Sequence, residues 1–309
     1  MKENNIKIQN KKNPGIIGAI AICIAAMLWG LDGTLLTPKL FNLEISFVVF
    51  MLHLIPFIIM NTFLFREYRH LAKMTKKDFL LFFLVAIFGG VLGTLSIVKA
   101  LFLVNFQHLS VVLLLQKLQP IFAITLAYIL LKEKIKKGFL VWAGLAITAS
   151  YFMTFGFNIP NFATGENTIP AVLYSIIAAS SFGAATVLGK KVVSSYNFKT
   201  AGFYRFGITT IIMGIYVAIF GKFTFSQITT QNWIVFLIIA ILIGILSVFL
   251  FYYGLTRVKA SKSTIYELSF PISVIVFDYI FNNNILSAVQ LLAAGVMIFA
   301  IVKISMLKK

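Results

Sequence analysis

A chain of 309 residues that is 60% hydrophobic, only 12% charged and has a mean hydropathy of +0.96 carries more apolar surface than a soluble domain of this size can hide. Its single cysteine, Cys23, excludes an internal disulfide framework and a thiolate-based metal cluster. The net charge of +18 would suit nucleic acid or an acidic partner, but the placement of the basic residues answers to a different cause.

Apolar stretches of about 20 residues, enough for a helix to cross roughly 30 Å of hydrocarbon, recur ten times. The predicted spans are 15–36, 44–65, 79–102, 107–131, 138–157, 169–189, 200–220, 232–254, 262–281 and 286–306. The runs are unbroken rather than alternating, so helices fit and a barrel does not. The first span follows Lys11, Lys12 and Pro14 but lacks a small-x-small cleavage site, so it reads as a retained helix. Lys and Arg number four in the tail 1–14, five between spans 2 and 3, four between 4 and 5, three between 6 and 7, three between 8 and 9 when Lys262 at the first position of span 9 is included, and three at the C-terminal end when Lys303 in the last turn of span 10 is included. The alternate loops hold only Lys39 and Lys222. The positive-inside rule therefore places both termini in the cytoplasm of a multi-pass cell-membrane protein, and no nucleic-acid partner is needed to explain the charge.

Shifted by 151, residues 93–149 overlay 244–300 without a gap, and fourteen of the 57 positions are identical. The matches include Gly93/Gly244, Ser96/Ser247, Pro120/Pro271, Tyr128/Tyr279 and Gly144/Gly295. A shift of 153 sets IAAMLWGLDGT on IAASSFGAATV, so that Gly30 meets Gly183. Each half thus holds five spans, 15–157 and 169–306, joined by an extracytoplasmic linker, 158–168. Five is odd, so the second half must cross the membrane upside down. The charges agree, because KEKIKK (132–137) corresponds to uncharged NNILSA (283–288), and NFQH (105–108) to TRVK (256–259). The fold expected is an all-α integral membrane protein of ten transmembrane helices in two inverted five-helix repeats, an arrangement typical of secondary transporters working by alternating access.

AAMLWGLDGT in the first span, LQPIFAITLAYILLKEKI in and after the fourth, and WAGLAITAS in the fifth resemble the EamA branch of the drug/metabolite transporter superfamily, and the similarity covers nearly the whole chain. The resemblance implies that Pro120 and Pro271 are the family's prolines of the fourth and ninth helices, that Glu133 is its glutamate before the fifth, and that Arg205 is its frequent arginine of the seventh. Asn284, the counterpart of Glu133, departs from the pattern. The resemblance also implies export or uptake of small metabolites, often amino acids or amphiphilic compounds.

Ionisable residues inside spans are costly and are candidates for function. There are seven here: Asp32, His53, Lys99, Lys117, Arg205, Glu267 and Asp278. Lys99 and Asp278 lie near the outer ends of spans 3 and 9, where a lysine can snorkel. Arg205 lies about a turn and a half inside the cytoplasmic end of span 7, suited to bracing an inner gate or holding a carboxylate. Asp32, between Gly30 and Gly33, suits a cation, a proton or an interhelical hydrogen bond. These four are the candidates for gating or proton coupling. Lys117 and Glu267 are different, because the repeat brings Glu267 onto Gln116, beside Lys117, and each charge precedes its proline by three or four residues. The prolines are expected to kink both helices. Two opposite charges facing one central cavity would pair when it is empty and hold a zwitterion when it is loaded. Gln116, Gln119, His53 and Ser269 are supporting polar positions. Trp29, Phe102, Tyr252, Tyr253 and Tyr266 are candidate aromatic walls.

No Walker-type loop, metal cluster or paired acidic motif occurs, and the loops are short, so neither an ATPase nor a membrane enzyme is expected and no cofactor is required. The expected function is a secondary transporter of a small metabolite, an amino acid or similar zwitterion first and an amphiphilic or cationic compound such as a quaternary amine second. The expected partners are the substrate, the lipid bilayer and a proton or other coupling ion, with the chain working as a monomer or homodimer. A passive channel is the reading from another class.

Overall fold

The computed structural model of the protein describes residues 14–104, 112, 115–159, 168–282 and 287–307. The described elements are α1 (Pro14–Leu31), α2 (Ile45–Leu64), α3 (Lys76–Val85), α4 (Gly93–Leu103), α5 (Gln119–Leu131), α6 (Lys137–Phe155) and α7 (Thr168–Val193). They continue with α8 (Phe198–Ile219), α9 (Thr230–Ile238), α10 (Ser247–Leu255), α11 (Ala260–Tyr266), α12 (Ser269–Asn282) and α13 (Ala288–Met306). Short π-helical segments extend α1 (Asp32–Leu36) and join α3 to α4 (Ala86–Leu92) and α9 to α10 (Ile239–Leu246). Among the described residues, nine helical units are long and apolar enough to cross a membrane. The fourth predicted span, 107–131, lies partly outside the described residues. Its described helix α5 has 13 residues, a rise of about 20 Å, short of a full crossing.

The starts of these helices follow from local chemistry. Thr75 and Asp78 form a capping box at α3, and Thr229 and Asn232 form its counterpart at α9, each satisfying donors that the first turn would otherwise leave open. Pro14 opens α1, where its missing N–H is no loss.

The described helices of the two halves correspond, apart from α11, whose counterpart lies mostly outside the described residues. The 19 residues of α6, shifted by 151, are the 19 residues of α13. The π-helical segments at Ala86–Leu92 and Ile239–Leu246 fall at matching places. The packing has the same two-fold pattern: α1 lies against α10 and α12 of the other half, and α7 lies against α4 and α5. α2 pairs with α8, and α6 pairs with α13. Two glycines permit the cross-half contacts. A Cβ on Gly183 would stand 3.0 Å from the Ala123 backbone nitrogen and from Phe122 Cβ, and one on Gly30 would stand 3.0 Å from the Phe270 carbonyl and collide with the Ser273 hydroxyl. Phe122 and Ser273 are themselves 151 apart, so the repeat extends from the glycines to the atoms they approach.

Outward faces are apolar, as lipid contact demands: Leu292 and Ile219 are about 70% exposed (71% and 72%). Described ion pairs are confined to the periphery, His70 with Glu67 (3.4 Å) and Lys222 with Glu44 (3.6 Å).

Candidate functional site

Pro120 and Pro271 do more than kink their helices. A proline cannot donate to the carbonyl four residues back, and its ring crowds that carbonyl. At both sites the chain leaves the helix for a short turn, Lys117–Leu118 in the first half and Glu267–Leu268 in the second. Tight i→i−3 bonds close these turns: Leu118 N–H to the Leu115 carbonyl (3.0 Å), and Leu268 N–H to that of Ile265 (3.1 Å). Helices α5 and α12 then restart, with each proline in the first turn, where it is tolerated.

Both interruptions face one central cavity of about 250 Å³. Its wall draws on both halves, while α6 and α13 contribute no lining residue. Gln119 joins the two breaks directly, its amide Nε2 donating to Glu267 Oε2 at 2.7 Å. The other carboxylate oxygen, Oε1, accepts from Ser263 Oγ (3.3 Å) and Thr186 Oγ1 (3.5 Å). A carboxylate in a membrane interior survives on such donors.

Lys117 also borders the cavity but spends its ammonium elsewhere. It donates to the Ser150 carbonyl at 3.0 Å and to the Thr154 hydroxyl, both on α6. No ion pair joins Lys117 to Glu267 among the described residues. The expected central charge pair is therefore replaced by two separately solvated charges. The physical reason is local: α6 presents a carbonyl and a hydroxyl next to Lys117, whereas Glu267 is met by neutral donors.

Arg205 borders the cavity too, rather than serving only a rim. Its Nη2 donates to the Gly89 carbonyl (2.8 Å), and it lies within electrostatic range of Tyr252, Glu267 and His53. His53 Nδ1 lies 2.8 Å from the Val49 carbonyl, which can only accept, so Nδ1 carries the proton. Its ring packs on Phe206 (5.4 Å). Asp32 sits in the π-helical segment after α1 and accepts from Thr37 Oγ1 at 2.9 Å. Trp29, paired with Phe251 at 5.5 Å, and Gln116 complete the predicted residues that line the space.

Four predicted positions fall outside the cavity. Tyr253 lies under the Arg257 guanidinium (3.5 Å), and Tyr266 is core, 1% exposed. Phe102 packs with Val49, Val98 and Met213. Ser269 ties α12 to α1 through the Cys23 carbonyl (3.1 Å). Helical phase explains Tyr253, since its neighbour Tyr252 takes the inward position. Lys99 is also away from the cavity, with its ammonium 4.6 Å from the centre of the Tyr174 ring on α7. The side chain of Asp278 lies outside the described residues. Glu133, the glutamate expected before the fifth span, caps the first turn of α11 in the other half, accepting from the Ala260 and Ser261 amides (2.8 and 3.1 Å). Lys132, at φ 52°, makes the left-handed turn that ends α5 just before it.

Sequence reasoning missed Thr186, Thr264, Phe182, Phe206, Phe251 and Phe270, all of which line the cavity. Thr264 was within reach, because it lies one turn before Glu267. The phenylalanines were not, being four among 32.

Comparison with known proteins agrees with this architecture. The model of the EamA-like transporter family matches twice, at residues 16–155 and 169–306. The riboflavin transporter ImpX of Fusobacterium nucleatum subsp. nucleatum is 51% identical over 296 residues, 94% of this chain and 98% of that protein. One solved crystal structure superposes with a TM-score of 0.68 at 13% identity, covering 95% of each chain, which shows a shared fold.

Proposed function

Because the chain belongs to the EamA-like transporter family, we propose that it carries riboflavin across the cytoplasmic membrane by alternating access through the central cavity. It is a multi-pass membrane transporter and not an enzyme. The observation that carries the substrate is the 51% identity to a riboflavin transporter over 94% of the chain. The geometry supports it. Two acids (Asp32, Glu267) and two bases (Lys117, Arg205) border the cavity, a balance that suits a neutral molecule better than a cation or an anion. Trp29, Phe182, Phe251 and Phe270 offer aromatic surface to a flat tricyclic ring, and the amides and hydroxyls offer partners to a polyol. The zwitterion reading drew on a Lys117–Glu267 pair, and that pair is absent among the described residues.

The two-fold packing pattern supports inverted repeats, 15–157 and 169–306, rocking about the central site. The bias of Lys and Arg supports cytoplasmic termini. The test is uptake by purified protein in liposomes. Riboflavin flux that saturates and shows counterflow of labelled riboflavin is expected. Linear, non-saturating flux would indicate a channel, and saturable uptake of an amino acid without riboflavin binding would restore the zwitterion.

A further inference from the structure

Two buried polar atoms of residues lining the cavity have no hydrogen-bond partner: the Thr264 hydroxyl oxygen and the Arg205 Nε. Thr264 is only 1% exposed, so neither bulk water nor lipid headgroups serve it. Buried donors are rarely left open in folded proteins, and one beside a cavity points to a ligand that fills it. Glu267 belongs to the same polar corner. Thr264 precedes it by three residues, which sets the two side chains on one face of the chain, and Arg205 lies within its electrostatic range. Between them the three residues bring an N–H, a carboxylate and a hydroxyl to one cavity wall, that is two donors and an acceptor.

Resting on riboflavin as the substrate, we propose that this corner reads the imide edge of its isoalloxazine ring. That edge presents acceptor, donor and acceptor in one rigid plane: two carbonyls flanking the ring N3–H. Glu267 accepts from N3–H, the Arg205 Nε–H donates to one carbonyl, and the Thr264 hydroxyl donates to the other. The ribityl chain is a poorer match for these groups. Its hydroxyls are flexible and each is both donor and acceptor, so it does not require a carboxylate between two fixed donors. The guanidinium is itself held by the Gly89 carbonyl through Nη2, which fixes the direction of its Nε–H and makes the corner selective for a planar partner.

The test is a fluorescence titration of purified protein with riboflavin, 3-methylriboflavin, and 2-thio- and 4-thioriboflavin. Replacing N3–H by a methyl removes the donor to Glu267 and sets an apolar group against the carboxylate, so 3-methylriboflavin is expected to bind at least about tenfold more weakly. Each thiocarbonyl is a poor acceptor and weakens binding to the wild type. In Thr264→Val one of the two thio analogues is expected to lose no more than riboflavin itself, and Thr264→Ser is expected to restore the wild-type order. Riboflavin and 3-methylriboflavin binding equally to the wild type would overturn the edge assignment and leave the transport reading intact. Absence of riboflavin binding to folded protein, with uptake of another metabolite, would overturn both.

Discussion

The two proline-interrupted helices share a backbone solution and differ in chemistry. Each breaks for two residues before its proline, closes the break with a tight i→i−3 bond and restarts facing the same cavity. At the first break the charge is bound outward, Lys117 onto the Ser150 carbonyl and Thr154 of α6. At the second the charge faces inward, with Glu267 held by Gln119, Thr186 and Ser263. A repeated fold therefore supplies two equivalent openings in the hydrogen-bond ladder. At one of them the charge is held by neutral side-chain donors, and at the other it fastens the cavity wall to α6.

Five substitutions would break or sharpen that contrast. Glu267→Ala strands three donors and removes the inward charge. Riboflavin uptake in liposomes is expected to fall by two orders of magnitude or more, at roughly 1–3 kcal/mol per unsatisfied buried group. Gly183→Val presses a side chain against the Ala123 backbone and Phe122, where the halves interlock. It is expected to cost about 1–3 kcal/mol of stability, read as a lower midpoint of thermal aggregation. Gly138→Ala, where nothing lies within 4 Å of the new Cβ, is the matched control and is expected to leave that midpoint in place. Lys117→Met frees the Ser150 carbonyl and Thr154, so a smaller loss of stability, about 1–2 kcal/mol, is expected with uptake retained. Tyr253→Phe, away from the cavity, is expected to change uptake by less than about twofold, within the range of a neutral surface change. A large loss of uptake there would extend the site beyond the described cavity.

Much of the fold was legible because its causes are periodic. Apolar runs marked the spans, and one shift of about 151 linked Gly93 with Gly244 and Pro120 with Pro271. Which positions border the cavity was partly legible, since Glu267, Gln119, Gln116, Lys117, Trp29 and His53 are among its lining residues. What pairs with what was not legible. Lys117 and Glu267 are adjacent in the repeat register, but hydrogen-bond partners depend on side-chain direction. The helix break rotates Lys117 toward α6, and no register argument contains that rotation. The same limit explains Tyr253 for Tyr252, one residue and about 100° apart on a helix. Thr264 was passed over because a hydroxyl is cheap to bury in a helix and carries no mark until its missing partner is seen.

The most direct measurement is a riboflavin titration of Glu267→Gln and Lys117→Met side by side with the wild type. The Lys117→Met protein is expected to bind riboflavin within about threefold of the wild type, and Glu267→Gln at least about tenfold more weakly, the cost of one charge-assisted hydrogen bond. The reverse order, or equal losses in two well-folded variants, would contradict the assignment of the inward charge to Glu267.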